Sequence, residues 1–521
     1  MKKPVSSLSL QALPILLLLT LTACSGDVGN HYSPGSYDHA KTQLQQALKQ
    51  KNNTKEAKGI ILFVGDGMSV PTVTAGRIYA GQKNGQAGEE HQLSFERFPY
   101  AGLVKTYNTN QQTPDSAGTM TAMLTGSKTK AGVVSVNTQA RRADPESCRG
   151  YNLKTLLEQA EDQGWATGIV TTTSVTHATP AAAYAHTPER NWESDAAMSE
   201  AAIASGCKDI ASQLIDFDYG NGIEVVLGGG RQFFLPQTGD VQAQPGRESA
   251  GRRDGRNLID EWQARHKKSV YVSNATELKA VDTKKTRHLL GLFADSHLDF
   301  EADRVLNEAQ DQPALSEMVA TALALLKKQD RFLLIVESGR IDHAHHIGNA
   351  YRALEEMLEF DYTVNQVAAQ VDLDETLVIV TADHSHTMTI AGYPTRGNPI
   401  LGFVKGNDDN GEPNDDVSLA SDKKPYTTLS YANGPGYFNE PYDGDNPFAR
   451  FMSPPSNGRQ TTVDDDPQAP HYHQEAGVPL RTETHAGDDI AVYAQGPWAH
   501  LLTGVIEQNY LYHVMKHAGD L

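Results

Sequence analysis

The hydrophobic residues of this chain gather in short unbroken runs instead of alternating with polar residues. Six runs are rich in β-branched residues and are followed by Gly, Thr or an acid: Ile60–Val64, Ala166–Val170, Ile223–Leu227, Phe332–Val336, Leu377–Val380 and Ile490–Tyr493. Such runs are typical of parallel strands buried on both faces. Helical patterns, for example Leu153–Gln163 and Ala350–Val371, separate them. The pattern therefore predicts an α/β fold, a largely parallel sheet with helices on both faces.

Two stretches depart from this pattern. Residues 236–257 read as a polar loop, and residues 392–481 are crowded with Gly, Pro, Asn and Asp. The second stretch is too long for a plain loop. It also holds aromatic residues that a disordered linker does not need: Tyr426, Tyr431, Tyr437, Phe438, Tyr442, Phe448, Phe451 and Tyr472. We predict an inserted subdomain at 392–481, within a catalytic α/β domain formed by 56–391 and 482–521, and suited to a substrate entrance or a subunit contact.

The N-terminus reads as an export signal. Lys2 and Lys3 precede the apolar run Leu13–Ala23, which is too short for a confident membrane span. The signal, residues 1–23, ends in LTAC and resembles a bacterial lipobox, so Cys24 is the predicted lipidation site; the alternative is an ordinary signal cut nearby. We predict export to the periplasm or cell envelope, membrane attachment by lipid only, and a tether with a short helix at 24–55.

The remaining cysteines are Cys148 and Cys207. An even pair in an oxidising compartment predicts a disulfide, and two buried free thiols are the alternative.

The charge of the chain restricts its partners. The 521 residues include 45 Lys and Arg against 64 Asp and Glu, a formal charge of -19. The bulk surface therefore does not suit a nucleic-acid backbone, and an anionic substrate needs local positive charge. A composition of 39% hydrophobic and 21% charged residues also excludes a mainly disordered chain.

Acids and histidines follow the predicted strands, at the edge where open α/β sheets bind ligands. The residues are Asp66 after the first run, Glu337, Asp342, His343, His345 and His346 after the fourth, Asp383, His384 and His386 after the fifth, and His485 before the sixth. A single Asp there is more often a helix cap than a ligand. Four such clusters on one sheet instead indicate metal binding.

The spacing of these residues suggests the kind of metal. Asp342 and His346 are four residues apart and share one face of a helix; with His485 they make the three-ligand site of a catalytic zinc. Asp383 and His384 with Asp66 make a second such site. Glu337, Asp66 and a hydroxyl suit magnesium. His345 and His386 either support the ligands or lie at the surface.

A nucleophile is available in the segment TPDSAGT. Ser116 follows Asp115 and opens a run of small, helix-prone residues. It is a helix N-cap or a nucleophile, and both are compatible because a helix N-terminus stabilises an alkoxide and a phosphoryl group.

Together these motifs resemble those of the alkaline phosphatases, two-zinc, one-magnesium phosphomonoesterases. The matching segments are GDGM at Asp66, PDSAGT at Ser116, HATPAAAYAHTPERNW from His177 to Trp192, ESGRIDHAHH, TADHSH and ETHAGDD. The resemblance covers nearly all of residues 58–517 and implies hydrolysis of phosphate monoesters through a phosphoserine.

The resemblance also implies a role for each residue. One zinc is held by Asp342, His346 and His485, and the other by Asp66, Asp383 and His384, with Ser116 attacking. Magnesium lies on Asp66, Thr179 and Glu337. Arg190 forks onto two phosphate oxygens. Supporting positions are Asp115, His177 beside the magnesium and His343 beside the first zinc.

Some implications concern specificity and assembly. Histidines at 177 and 343 resemble the animal enzymes, and a nitrogen at His177 could admit another divalent metal to the third site. The calcium site of animal members is doubtful, because Ala294 follows Phe293 where they carry an acid. The contexts of Cys148 and Cys207 resemble a family disulfide, and a homodimer is implied.

The rival functions are a phosphodiesterase or sulfatase on the same fold, and a non-catalytic surface lipoprotein that binds metal or phosphate.

Overall fold

A computed structural model describes residues 35–237, 251–306, 311–439 and 459–521. The chain divides into two units, one ending at Lys49 and the other spanning Gln50–Leu521. The first unit holds helix α1 (Tyr37–Ala47), which begins after Ser36; the Ser36 hydroxyl accepts a hydrogen bond from the His39 amide. No residue of α1 is buried. The predicted signal and Cys24 lie outside the described residues.

The second unit alternates strands and helices. The strands are β1 (Gly59–Gly65), β2 (Tyr100–Lys105), β3 (Ala166–Ser174), β4 (Val225–Gly229), β5 (Ser269–Val272), β6 (His288–Leu292), β7 (Phe332–Ser338), β8 (Thr376–Ala382), β9 (Ser385–His386), β10 (Met388–Ile390), β11 (Leu429–Gly434), β12 (Phe438–Asn439), β13 (Tyr472–His473), β14 (Ala476–Pro479), β15 (His485–Ala486), β16 (Ile490–Gln495) and β17 (Gly504–Glu507).

The helices that follow α1 are also mostly short. They are α2 (Val70–Lys83), α3 (Ser116–Thr125), α4 (Leu156–Asp162), α5 (Ala178–Ala181), α6 (Glu200–Ala204), α7 (Ile210–Asp216), α8 (Leu258–Arg265), α9 (Ala275–Lys279), α10 (Glu301–Leu306), α11 (Leu315–Leu326), α12 (Arg340–His346), α13 (Ala350–Gln370) and α14 (Tyr510–Gly519). None of the helices in the described ranges is both long and apolar enough to cross a bilayer.

One ten-stranded sheet organises the unit, in the order β17-β2-β16-β8-β1-β7-β3-β4-β6-β5. Strand β1 lies at its centre and pairs in parallel with β7 and β8. Every residue of β1, β3, β7 and β8 is buried, as the unbroken apolar runs predict. The α/β prediction is confirmed.

One strand runs against the prediction. We expected Ile490–Tyr493 to be a parallel strand buried on both faces, but β16 is antiparallel to β2 and β8. Its burial alternates residue by residue, because one of its faces is only partly covered. Strands β2, β5, β6 and β17 extend the sheet beyond the six predicted runs.

Smaller sheets lie between β8 and β16. Strands β10, β11 and β14 form one, and β12 pairs with β13. Tyr431 and Tyr472 are buried there, whereas Tyr442, Phe448 and Phe451 fall outside the described residues. Strand β15 pairs with β9 so that His485 lies opposite His386. This pairing brings the C-terminal part of the chain to the end of β8.

A disulfide joins Cys148 and Cys207, whose Cα atoms are 5.4 Å apart. The disulfide alternative is therefore confirmed over two free thiols. Both cysteines pack against Trp192, Met198 and Ala202.

Candidate active site

The carboxyl ends of four neighbouring strands, β8, β1, β7 and β3, gather the predicted functional residues. Since the strands are parallel, their carboxyl ends meet at one edge. This edge carries Asp66 after β1, His177 and Thr179 after β3, Glu337 in β7, Asp342 and His346 in α12, and Asp383 and His384 after β8.

Ser116 lies at the start of α3, over this edge. The Asp115 carboxylate caps the helix by accepting a hydrogen bond from the Gly118 amide at 3.1 Å, so the cap is Asp115 and Ser116 is the first helical residue. The Ser116 side chain is nearly buried, and its Oγ lies 3.1 Å from Nε2 of His384. The hydroxyl is therefore free of a capping role.

His384 joins Asp66 and Asp383 in one buried group. Its Nε2 lies 3.4 Å from Oδ1 of Asp66 and 3.3 Å from Oδ2 of Asp383. Burial, with His485 nearby, holds the pKa of His384 well below its usual range, so the ring is neutral, the form that binds metal. Neither carboxylate oxygen of Asp66 has a hydrogen-bond partner among the described residues. Unpaired acceptors around a neutral imidazole fit a divalent cation.

A second group contains Asp342, His346 and His485. Nδ1 of His346 donates to the Glu483 carbonyl at 2.6 Å, and Nδ1 of His485 donates to the Pro114 carbonyl at 2.8 Å. In neutral rings both Nε2 atoms then carry lone pairs, yet they lie only 3.1 Å apart. They also lie 3.4 and 3.3 Å from the Asp342 carboxylate. A cation is the group that such facing acceptors fit.

The two groups touch through their imidazoles. The rings of His384 and His485 stack with centroids 3.6 Å apart, inclined by 20°.

His386 belongs to the second group by position but not by chemistry. Its Nε2 lies 2.5 Å from Asp342 Oδ1, and its Nδ1 lies 2.5 Å from Glu483 Oε2. Burial lowers the pKa of His386, but the two carboxylates outweigh burial and raise it to about 10. Both ring nitrogens thus donate, which leaves no lone pair for a metal. His386 therefore orients Asp342.

A third group lies beside the first and shares Asp66. Asp66, His177 and Glu337 can each bring a ligand atom within 4.8 Å of the others. Oε1 of Glu337 and the Thr179 hydroxyl are buried and lack hydrogen-bond partners among the described residues. Burial and the nearby Asp383, Asp342 and Glu337 raise the pKa of Asp66, so the carboxylates repel one another without a cation. The donor set is rich in oxygen, as magnesium requires.

Arg190 connects Ser116's helix to the third group. Its Nη1 donates to Asp115 Oδ2 at 3.1 Å, and its Nη2 donates to His177 Nε2 at 3.1 Å. Its backbone amide donates to the Gly132 carbonyl. The guanidinium is thus held by both neighbours and supplies positive charge beside Ser116 and the third group.

Other histidines here have structural partners. His345 is buried and bonds to Thr72 through Nε2 and to the Tyr431 hydroxyl through Nδ1. His343 accepts from Arg340 Nη1 at 2.8 Å and packs against His297, with ring centroids 4.4 Å apart. His297 also contacts the ring of His177.

Three supporting residues were not predicted. They are Glu483, His297 and Glu193, which accepts from Ser174 and Thr176 at the end of β3. Glu483 lies two positions before His485 in ETHAGDD, a proximity that was the one available signal.

Gly67 allows the close approach on which this arrangement depends. Its φ is +69°, and a Cβ there would lie 2.3 Å from Cδ2 of His386. A side chain would therefore displace the imidazole that orients Asp342.

An open, mostly parallel sheet that gathers carboxylates and imidazoles around a serine hydroxyl is the arrangement of a metal-dependent hydrolase. The chain belongs to the alkaline phosphatase family, whose sequence model matches residues 57–521. It is 43% identical over 488 residues to the tissue-nonspecific alkaline phosphatase isozyme of Homo sapiens, covering 92% of this chain and 87% of that protein. It is 44% identical to the alkaline phosphatase of Gadus morhua, covering 92% and 96%.

Solved structures agree in fold. The alkaline phosphatase of Thermus thermophilus aligns with a TM-score of 0.62 at 25% identity, covering 93% of this chain and 95% of that one. The alkaline phosphatase of the Antarctic bacterium TAB5 aligns with a TM-score of 0.57 at 20% identity, covering 90% and 99%. The chain is thus an enzyme that hydrolyses phosphate monoesters and binds divalent metal ions.

Proposed function

We propose that the chain cleaves phosphate monoesters by moving the phosphoryl group first to Ser116 and then to water. The observation that carries this proposal is the 3.1 Å approach of the Ser116 hydroxyl to Nε2 of His384, beside the Asp66 carboxylate, neither oxygen of which has a hydrogen-bond partner among the described residues.

The metals of this proposal are two zinc ions and one magnesium. Asp342, His346 and His485 would hold one zinc, and Asp66, Asp383 and His384 the other. Asp66, Thr179 and Glu337 would hold magnesium. When bound, the metals act as Lewis acids that lower the pKa of a hydroxyl or water and neutralise developing charge.

Ser116 is the nucleophile of the first step. Its Oγ forms a bond to phosphorus while the bond from phosphorus to the alcohol oxygen breaks, which leaves a phosphoserine and frees the alcohol. Water then attacks phosphorus from the vacated side, and Ser116 recovers its hydroxyl as phosphate leaves. Because Asp115 caps α3, the amides of its first turn and the helix dipole favour negative charge at Ser116.

Arg190 binds the non-bridging oxygens in this proposal. Asp115 and His177 each occupy one terminal nitrogen of its guanidinium, which fixes the plane of the fork. A planar fork matches two phosphate oxygens, whereas a lysine offers a single point of charge.

His177 lies beside the third site, which would take magnesium but could admit another divalent metal. Arg190 can only donate, so Nε2 of His177 must accept and the ring proton lies on Nδ1. Burial, together with Arg190, lowers the pKa of His177 to about 3, so the ring stays neutral. While Arg190 is bonded to it, Nδ1 carries the ring proton and has no hydrogen-bond partner among the described residues. Calcium stays doubtful, since Ala294 offers only a buried methyl group.

The wider setting belongs to the same proposal. Substrates are small phosphate monoesters, and the enzyme is a homodimer exported to the periplasm or cell envelope and anchored by lipid at Cys24. Residues 392–481 form the subdomain inserted into the catalytic domain, next to the site through the Tyr431 hydroxyl on His345.

Replacement of Ser116 tests the phosphoserine. Ser116→Ala should abolish acid-stable trapping of labelled phosphate on the protein and reduce turnover by several orders of magnitude, because no oxygen remains to accept the phosphoryl group. Ser199→Ala, at an exposed helix cap, is the matched control and should trap label normally. Trapping that persisted in Ser116→Ala would remove Ser116 from this role.

Metal removal tests the metal assignments. A chelator should silence turnover and lower Tm, since the buried carboxylates lose their counter-charge. Elemental analysis of the purified holoenzyme should give two zinc and one magnesium per chain, and full turnover by metal-free protein would contradict the proposal.

Rates on a monoester, a diester and a sulfate ester, compared side by side, should favour the monoester.

A further inference from the structure

A cluster of lysines and arginines lies on the edge of the sheet opposite the active site. Three segments contribute to it, and we call it the basic surface: Arg265, Lys267, Lys268, Lys284, Lys285, Arg287, Lys327 and Lys328, all exposed. The Arg287 amide donates to the Lys268 carbonyl at 3.0 Å, which joins the first two segments. Nζ of Lys328 donates to the Thr286 carbonyl at 3.3 Å, which joins the third.

Few carboxylates pair directly with the basic surface. Asp282 and Asp330 each lie two residues from one of its members. Asp216 and Asp218 also lie near Arg265, which donates to the carbonyl of Phe217 between them. In the described ranges, Lys285 is the one member of the eight with a carboxylate partner, Asp282 at 3.1 Å. Such a concentration of positive charge contrasts with the formal charge of -19 for the whole chain. It therefore marks a local site for an anionic partner.

The position of the basic surface follows from the sheet. Its residues immediately precede β5 and β6 or lie in the turn before β7, so they mark the amino ends of these strands. Ser116 and the metal-binding groups lie at the carboxyl ends. Farther along the amino edge, the acids Asp372 and Asp374 precede β8, five strand steps from β6. Lys327 and Lys328 lie nearer to these acids, because β7 is two steps from β8 and Lys327 Nζ donates to the Gln370 carbonyl. The residues that precede β5 and β6 are therefore the part of the basic surface farthest from the acids.

We propose that the basic surface docks on anionic lipid headgroups of the membrane that carries the protein. The predicted acyl group at Cys24 selects this partner, because it would hold the chain at a bilayer. With α1 helical, residues 24–49 can span about 65 Å, enough to let the enzyme turn this surface toward the membrane. The anchor supplies a high local concentration, so a modest electrostatic contact suffices. Docked in this way, the active-site edge faces away from the bilayer toward soluble substrate.

Vesicle flotation tests the docking without the anchor. Gln50–Leu521 forms a compact unit by itself, so the chain from residue 25 onward can be used. We expect it to float with phosphatidylglycerol vesicles and not with phosphatidylcholine vesicles. We also expect the protein to be released from the vesicles at an ionic strength of about 0.5 M, where the Debye length falls to about 4 Å. Equal binding to both lipids, or binding indifferent to salt, would overturn the proposal.

Charge reversal locates the contact. Lys267→Glu with Lys268→Glu should weaken binding to phosphatidylglycerol vesicles by about tenfold or more. Lys405→Glu with Lys423→Glu, the same charge change elsewhere, should leave binding intact. Turnover of a soluble monoester should be unchanged in both, and Lys284→Glu with Lys285→Glu replaces the first pair if that pair misfolds. An unaffected basic-surface variant, or tighter binding to DNA than to vesicles, would refute the membrane assignment.

Discussion

The hydrogen bonds that each imidazole makes determine whether a histidine of the site can bind metal or instead supports a ligand. His346 and His485 give their Nδ1 protons to backbone carbonyls and are left with lone pairs directed at each other. His386 donates from both nitrogens to carboxylates and orients Asp342. The same side chain therefore serves as ligand or as support, according to the acceptors around it.

Replacing His386 should weaken zinc binding without removing a ligand. His386→Gln keeps at most one of the two contacts, so Asp342 loses its fixed orientation and Glu483 loses its counter-charge. We expect zinc affinity to fall about 10- to 100-fold. Competition with a chromogenic chelator measures this, with the exposed His513→Gln as control. Unchanged affinity in His386→Gln would mean that Asp342 is held by other contacts.

Candidate residues that directly follow a strand or begin a helix were easier to recognise from the sequence than residues whose partners lie in distant segments. Asp66, Asp383 and Ser116 could be predicted because each is adjacent to a recognisable strand or helix start. The role of His386 stayed open, and Glu483, His297 and Glu193 were missed, because their partners come from distant segments. The local sequence NWESD contains no pattern that predicts the contact between Glu193 and Ser174.

The packing of each strand determined whether it could be recognised from the sequence. Strands with two covered faces, β1, β3, β7 and β8, appear as unbroken apolar runs and were predicted. The predicted direction of β16 was wrong, because an apolar run does not indicate whether a strand is parallel or antiparallel to its neighbours. Strand β2 alternates exposed and half-covered residues over most of its length, so no apolar run marks it.

Glu193 joins two elements that carry site residues. Its Oε2 accepts from Ser174 Oγ at 2.7 Å and Thr176 Oγ1 at 2.5 Å, at the end of β3 just before His177. It also lies three residues after Arg190. We expect Glu193 to fix the separation of His177 and Arg190.

Removing this connection should impair turnover more than stability. Glu193→Ala should lower kcat/KM for a small monoester by about tenfold and weaken inhibition by phosphate in parallel, since small displacements of a binding group are costly. Glu193→Gln keeps an acceptor and should stay near wild type. If Glu193→Ala changed Tm but neither kinetic constant, the residue would be purely structural.

At the scale of the whole molecule, a buried acidic site also lies at the amino edge of the sheet. Glu161 and Glu224 are both buried, and both contact Thr167. Burial and the neighbouring Glu224 raise the pKa of Glu161 to about 8, and burial raises that of Glu224. In the folded protein Glu161 therefore keeps a proton that the unfolded chain loses near its ordinary pKa of about 4.3.

This difference makes stability depend on pH. The native state binds more protons than the unfolded state between about pH 4 and 8, so the free energy of unfolding falls as pH rises through that window. Glu161→Gln cannot ionise and should raise Tm at pH 9 by a few degrees, worth about 2 kcal/mol, with little change at pH 5. Tm measured against pH checks this, with the exposed Glu146→Gln as control. A parallel shift at both pH values would point to packing instead.

The stacked rings of His384 and His485 join the first two candidate metal-binding groups into one unit. Each imidazole belongs to a different group, yet each lies flat against the other. An ion that fixes one ring also restricts the tilt of its neighbour, so the first occupant lowers the entropic cost of the second. Uptake of zinc by the stripped protein should therefore be sigmoidal, with half-loaded molecules scarce at every stage of the titration.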